Sequence, residues 1–242
     1  MTFRPWSIYI ASVFILIGCV SGIHDSGESC KDYYGNTKLY HALLDANLRD
    51  QVASAAQRAS DAHNQLADAH VSEAGWWEGF VHTIAPFTNR THRYQTPHMN
   101  AMHLHIERAT ELASRRRDVL ERKDTHPDAH LPALKREFEL SEQHATAGLM
   151  RLKASYAYKK AAVYARRAGD QEVAQRLFGQ MHLQTRHSLN HTPANAANFN
   201  PEHAISDASI AEQNANLMSR HFMQRLQSQP LQKKRKRASR HQ

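Results

Sequence analysis

The sequence predicts an all-α protein, an antiparallel bundle of about five helices followed by a disordered basic C-terminal tail. Apolar residues recur three and four positions apart over long segments, and no segment shows the strict alternation of a half-buried strand. Only 9 Gly and 8 Pro occur in 242 residues, so few turns interrupt the chain. We divide it into a signal peptide (1–22), a flexible leader (23–37), a helical domain (38–228) and the tail (229–242).

The first helix is predicted to begin at a cap formed by Asn36 or Thr37 and to end near Ser72, where Gly75 stops it. Its inner face is a narrow stripe with spacings of four and three residues, typical of a coiled coil. Because most of the stripe is alanine, a second helix can approach closely, but each contact buries little area. The stripe consists of Leu48, Val52, Ala55, Ala59, Ala62, Leu66 and Ala69.

An aromatic segment follows, with Trp76, Trp77 and Phe80 at its centre. Buried aromatic rings contribute large apolar areas, which favours a connection that packs across one end of the bundle. Tryptophan is also enriched at interface hot spots, so the same three residues are candidates for partner binding. The sequence leaves both interpretations open.

The second helix is predicted to begin at the cap and first-turn pair Thr96-Pro97 and to run to about Lys123. The third extends from near Asp128 to about Ala168. Their inner faces are assigned to Met99, Met102, Ile106, Ala109, Ala113 and Leu120, and to Leu131, Leu134, Phe138, Ala145, Leu149, Leu152, Tyr156 and Val163.

Gly169-Asp170 should end the third helix and cap a fourth, which reaches about Leu189. A loop over 190–201 separates it from the last helix, which is expected to end near Ser228. The inner face of that last helix is assigned to Ile210, Leu217, Met218, Phe222 and Leu226.

No segment carries a recognisable catalytic chemistry. The 18 histidines lack the spacing of metal ligands, and there is no cysteine cluster, so we expect no metal and no cofactor. Phosphate-binding loops and nucleophile elbows are also missing, so neither catalytic residues nor a small-molecule substrate are expected. We expect the histidines to be solvated or to cap helices, and to add positive charge to the body in acid.

The N-terminus is typical of a cleaved secretory signal. Arg4 precedes an uncharged apolar stretch, and the small residues Val20 and Gly22 allow cleavage before Ile23. The apolar stretch is shorter than the roughly 20 residues of a membrane span, so no stable membrane association is expected. As an alternative, Leu16-Ile17-Gly18-Cys19 resembles a bacterial lipobox, which would make the protein an envelope lipoprotein anchored through Cys19.

Five consecutive basic residues near the C-terminus predict a nuclear import signal read by an importin-type receptor. They are Lys233, Lys234, Arg235, Lys236 and Arg237. Together with Arg240 they supply most of the net charge of +8, so the body is nearly neutral and is not expected to bind DNA. Asn89 lies in an Asn-Arg-Thr glycosylation sequon. Ser239 follows basic residues as a candidate phosphorylation site.

A signal peptide over 1–22, a helical body without an enzymatic motif and a basic run over 233–237 together resemble the secreted effectors of plant-pathogenic, smut-like fungi. The resemblance rests mainly on the two terminal segments. It implies a secreted virulence protein that reaches the host cell nucleus and binds one or more host proteins there, with no catalytic step.

Overall fold

The computed structural model describes the backbone of residues 37–84, 91–121 and 130–238, and the side chains of residues 44–78, 93–121 and 130–228. Over these ranges the chain forms five α-helices, one 3-10 helix and no strand, which confirms the predicted all-α bundle. The helices are α1 (Thr37–Ile84), α2 (Thr91–Leu120), α3 (Leu131–Arg167), α4 (Gln171–Asn190) and α5 (Pro201–Ala238), and the 3-10 helix (Pro193–Asn198) precedes α5.

The chain divides into two units, Met1–Asn47 and Leu48–Gln242. In the first unit the structure describes the helical backbone of residues 37–47 and the side chains of residues 44–47. The predicted signal peptide, Cys19 and nearly all of the leader lie outside the described residues.

The central element of the second unit is α3, which contributes to the core on more than one side. Phe138 packs with Val52 of α1 and Leu112 of α2 in one cluster of buried residues. Ala161 packs with Leu177 of α4 in another cluster, which also contains Phe222 of α5. The other four helices therefore all share buried residues with α3.

The first helix is longer than predicted. It continues through Gly75 to Ile84 because Trp77 occupies a core position with only 4% of its surface exposed. Burial of that ring outweighs the cost of about 1 kcal/mol for a glycine inside a helix. Trp76, Trp77 and Phe80 therefore lie on α1 and not on a connection.

The second helix begins earlier than predicted, at Thr91, with Pro97 inside it. Proline removes one helical hydrogen bond, but the Tyr94 ring stacks on Trp77 with ring centres 4.6 Å apart and holds the preceding turn in place. The assigned face was also wrong in part, because Ile106 and Leu120 are exposed. The buried face consists of His98, Ala101, Met102, His105, Ala109, Leu112 and Val119.

Small residues form the seams between helices, and this explains two further corrections. On α5 the buried positions are Ala208, Ala211, Ala215, Ser219 and Phe222. The assigned inner residues Ile210, Leu217 and Met218 are exposed, as is Tyr156 of α3. The alanine face of α5 is the buried one because it allows α5 to approach the alanine-rich surface of α3 closely.

Three buried serines depend on this close approach. Ser60 of α1 donates a hydrogen bond to the backbone oxygen of Ala109 in α2 at 2.9 Å. Ser188 of α4 and Ser219 of α5 donate to backbone oxygens of α3 at 3.0 and 2.9 Å. Each bond satisfies a polar group that would otherwise be buried at a cost.

The junction between α3 and α4 is formed as predicted. Gly169 has φ = 83°, a left-handed conformation that favours glycine. Asp170 then caps α4, its carboxylate accepting a hydrogen bond from the backbone N–H of Val173 at 3.2 Å.

The last helix passes the predicted boundary at Ser228 and ends at Ala238. The segment 229–238, for which we predicted disorder, therefore has a helical backbone. Glutamine, lysine and arginine are good helix formers, so a helix that is already established can extend through them.

Candidate partner-binding groove and the buried histidines

A groove of about 640 Å³ runs between α1, α3 and α5, and we name it the α1–α3–α5 groove. Its apolar surface includes the buried side chains of Leu152 and Ala157. Tyr156 and Met223 stand on its sides with 56% and 37% of their surfaces exposed. The complete lining is Ala69, Ser72, Glu73, Leu149, Leu152, Lys153, Tyr156, Ala157, Lys160, Glu212, Asn216, Ser219, Arg220, Met223 and Gln224.

The groove carries more positive than negative charge. Lys153 and Lys160, two turns apart on α3, and Arg220 on α5 contribute three cations. Glu212 opposes them on α5, whereas the second carboxylate, Glu73, already pairs with a lysine. The groove therefore presents an apolar floor with a basic rim.

That lysine, Lys159, is buried beneath the groove. Its Nζ donates to Glu73 Oε1 at 3.3 Å and lies 3.6 Å from the centre of the Trp76 ring and 4.9 Å from that of Tyr156. Burial lowers the pKa of Lys159 and raises the pKa of Glu73, and their attraction partly offsets both effects. The Lys159 ammonium also lies within cation–π distance of the Trp76 and Tyr156 rings.

The two candidate tryptophans occupy different environments. Trp77 is buried, and its ring meets those of Trp76, Tyr94 and His182 at centre distances of 4.7, 4.6 and 5.6 Å. Trp76 is half-buried against the same cluster. This favours the core interpretation for Trp77. The side chains of Phe80 and of the basic residues 233–237, together with Asn89 and Ser239, lie outside the described residues.

Four histidines lie in the core between α1 and α2, and we name them the histidine ladder: His63, His70, His98 and His105. All four are at most 2% exposed. The Nδ1 atoms of His63 and His105 are 2.9 Å apart, and those of His70 and His98 are 3.0 Å apart. The His70 and His105 rings are parallel within 5°, with their centres 5.7 Å apart, so the two pairs form one stack.

The ladder contradicts our expectation that the histidines are solvated. Burial, reinforced by the charge of His105, lowers the pKa of His63 to about 3. Burial likewise lowers the pKa of His70 to about 2 and the pKa values of His98 and His105 to about 4. These four side chains therefore add no positive charge in mild acid while the bundle stays folded. His103, next to the ladder in sequence, is exposed.

Ser141 and His63 line a second cavity, of about 340 Å³. Their arrangement resembles the serine–histidine pair of a nucleophilic active site. Ser141 Oγ lies 2.9 Å from His63 Nε2, and His63 Nδ1 contacts His105. The chemistry does not follow. A histidine with a pKa of about 3 is a weak base, and the positive charge of Arg108 contributes to that low pKa.

The described residues were also checked for a metal site and a membrane-spanning helix, and the chain was compared with known proteins. In the described ranges, no three His, Cys, Asp or Glu side chains are grouped so that they could hold a metal ion. Over the same ranges, no helix combines the length and apolar character that a membrane crossing requires. No protein-family model, curated protein or solved structure matches the chain.

Neither the α1–α3–α5 groove nor the histidine ladder was predicted from the sequence. For the ladder, however, the sequence does contain a signal. His63 and His70 are seven residues apart and continue the register of Ala56 and Trp77, all of them buried. His98 and His105 are also seven apart and lie in register with Leu112 and Val119. A heptad search that counted histidine as a core residue would have found both series.

Proposed function

We propose that the chain is a secreted, host-directed protein-binding module whose α1–α3–α5 groove holds an acidic amphipathic helix of a host nuclear protein. The observation that carries the proposal is the exposed Tyr156 and Met223 above an apolar floor, with three cations around them. Targeting to the host nucleus is the part of the proposal that rests on the sequence of the two termini.

The shape and lining of the groove support a helical partner. An amphipathic helix binds such a groove through apolar side chains at successive turns. Tyr156 offers a large ring with a polar tip, a residue type enriched at binding hot spots. Met223 offers a flexible side chain that adapts to its neighbour.

The charge of the groove supports an acidic partner. Lys153, Lys160 and Arg220 face only Glu212, because Glu73 is engaged by Lys159. A partner with Asp or Glu beside its apolar face would be attracted, and a basic one would be repelled. Association should therefore weaken with salt, because exposed charges are screened over about 10 Å at 0.1 M.

Photo-crosslinking within the mature chain, residues 23–242, tests the proposal. A photoreactive amino acid replaces Tyr156 in one variant and Leu183 of α4, outside the groove and 43% exposed, in a matched control. We expect a plant nuclear protein to crosslink from position 156 and not from position 183, with the crosslink lying in an acidic helix.

Affinity for a peptide of that helix then decides the matter. Tyr156→Ala should raise its Kd at least tenfold, about 1.4 kcal/mol. It should lower the free energy of unfolding by no more than about 1 kcal/mol, the size of one cation–π contact with Lys159. Leu183→Ala should leave the Kd unchanged. Equal binding by wild type and Tyr156→Ala, or crosslinks confined to position 183, would remove the groove from the proposal.

The mature N-terminus tests secretion separately. Mass spectrometry of the processed protein should show Ile23 as its first residue. A lipidated Cys19 would instead identify the envelope lipoprotein.

A further inference from the structure

We propose that the histidine ladder makes the α1–α2 interface an acid-sensitive latch, closed at neutral pH and opened by protonation. The four rings lie between the two helices with at most 2% of their surfaces exposed, joined in two pairs by their Nδ1 atoms.

The hydrogen bonding sets the proton capacity of the closed state. At an N···N distance of 2.9 or 3.0 Å, one Nδ1 must donate and the other must accept, so both rings can be neutral. If both rings of a pair were protonated, two N–H donors and two positive charges would face each other. Each pair can therefore hold at most one added proton without breaking, and even that proton would be a buried charge.

The described carboxylates near the ladder are already paired with cations. Glu111 of α2 and Glu137 of α3, which line the cavity beside His63, pair with Arg108 and Arg115. From α1, Glu73 is committed to Lys159 of α3. From α2, Arg108 faces His63, and from α3 Ser141 and His144 do so. Lys159 acts on His98, and His105 acts on His191, which directly follows α4. Among the described groups that act on the ladder, those without a partner of opposite charge either carry a positive charge or gain one in acid.

The sign of the pH effect follows from these environments. In the unfolded chain each histidine takes up a proton near pH 6.5, whereas in the folded protein the ladder has pKa values of about 2 to 4. The unfolded or open state therefore binds more protons as the pH falls below 6.5. Each ladder histidine then favours opening by up to about tenfold per pH unit, until the pH reaches its folded pKa.

The position of the ladder indicates which part opens. Its rings lie between α1 and α2, whereas α3, α4 and α5 pack together in a hydrophobic cluster that α1 enters through Trp77. Trp77 of α1 stacks on Tyr94 of α2, so it loses that neighbour when the two helices part. Trp76 and Trp77 are the only tryptophans left after removal of residues 1–22, so their emission reports on this interface.

Residues 23–242 are therefore titrated from pH 7.5 to 4.5 while tryptophan emission, far-ultraviolet circular dichroism and the urea midpoint are recorded. We expect the emission to shift to the red before most of the helical signal is lost. The unfolding constant should rise by more than 100-fold per pH unit between pH 6 and 5. Unchanged emission and an unchanged midpoint down to pH 4.5 would overturn the proposal.

Two variants assign the effect to the ladder. The double variant His70→Leu, His98→Leu lacks one whole pair. The rise of its unfolding constant per pH unit should therefore be smaller than that of the wild type by a factor of about 100, tenfold for each histidine removed. His103→Leu, on the same helix but exposed, should leave the slope unchanged. An equal loss of slope in the His103 variant would overturn the assignment.

A measurement on the wild type holds even if the double variant does not fold. Nuclear magnetic resonance of the histidine ring protons should find that the four ladder histidines stay neutral at pH 5.5 in the folded state, as should His191, whose pKa burial lowers to about 4. Four ladder rings that titrate near pH 6.5 would overturn the proposal. The pH titration is repeated with EDTA, and a slope that disappears with EDTA would point to a bound metal and against the latch.

Discussion

Trp76 and Trp77 are adjacent in sequence but contribute differently to stability, because only Trp77 is enclosed by the rings of Tyr94 and His182. We expect Trp77→Ala to lower the free energy of unfolding by about 3 to 5 kcal/mol, as for other buried tryptophans. Trp76→Ala should lower it by less, because that ring is half-buried. Urea unfolding followed by circular dichroism measures both, and equal losses would contradict the different burial.

The ion pair between Glu73 and Lys159 should be costly to break from one side. Both residues are nearly buried, with 7% and 5% exposed, so Glu73→Leu leaves a lysine charge without its partner. We expect that single change to lower the unfolding free energy by about 3 to 5 kcal/mol. Glu73→Leu combined with Lys159→Met should recover most of the loss, because no buried charge remains.

A double-mutant cycle at constant pH separates these effects. If the double variant lost as much unfolding free energy as the two single variants together, the contact between Glu73 and Lys159 would contribute nothing to stability. The Lys159→Met variant also removes the cation beneath Trp76 and Tyr156, so tryptophan emission provides an independent control for its structure.

At the scale of the helices, two glycines provide a matched comparison. A Cβ atom on Gly148 of α3 would lie 2.8 Å from Leu66 Cδ2 and 3.2 Å from the Cβ of His191, whereas one on Gly179 of α4 would meet nothing within 4 Å. Gly179→Ala should stabilise the protein by about 1 kcal/mol through helix propensity. Gly148→Ala makes the same gain but crowds the α1–α3 seam at a cost of about 1 to 3 kcal/mol.

We therefore expect Gly148→Ala to be less stable than Gly179→Ala by about 1 to 3 kcal/mol. Thermal unfolding of the two variants and of wild type measures the difference. If the two substitutions raised the stability equally, the close approach at Gly148 would have no energetic consequence.

The helices themselves could be predicted because the residues that begin and end them act through local preferences. Gly169 and Asp170 specify the end of one helix and the start of the next through their own backbone and side-chain preferences. The faces of α2 and α5 could not be predicted in the same way. A pattern that counts large apolar residues as buried places Ile106 and Leu217 inside and excludes His105, yet helix packing here selects small residues and paired histidines.

At the scale of the whole molecule, the groove could not be predicted because three helices far apart in sequence form it. Tyr156 appeared to belong to the core stripe of α3, and only the position of α5 determines that it stands beside a groove. The buried lysine is similar, since its partner Glu73 is 86 positions away along the chain. Single-sequence patterns carry no signal for such distances.

The basic end of α5 should control location without affecting the fold. Changing Lys233, Lys234, Arg235, Lys236 and Arg237 to Ala should leave the thermal unfolding midpoint unchanged, because in α5 the described core clusters extend no further than Phe222. A fluorescent fusion of residues 23–242 that exceeds the passive limit of the nuclear pore should shift from nucleus to cytoplasm in plant cells. Equal nuclear accumulation of the two forms would leave a polyanion-binding tail as the better account.

The alanine seams have a consequence for how stability depends on temperature. More than half of the buried hydrophobic residues of the described core are alanines, so unfolding exposes less apolar area per residue than in a leucine-rich core. The heat capacity of unfolding should therefore fall below the usual value of about 12 to 15 cal/mol/K per residue. The curve of unfolding free energy against temperature then becomes flatter, so the bundle keeps more of its maximum stability when it is cooled or warmed.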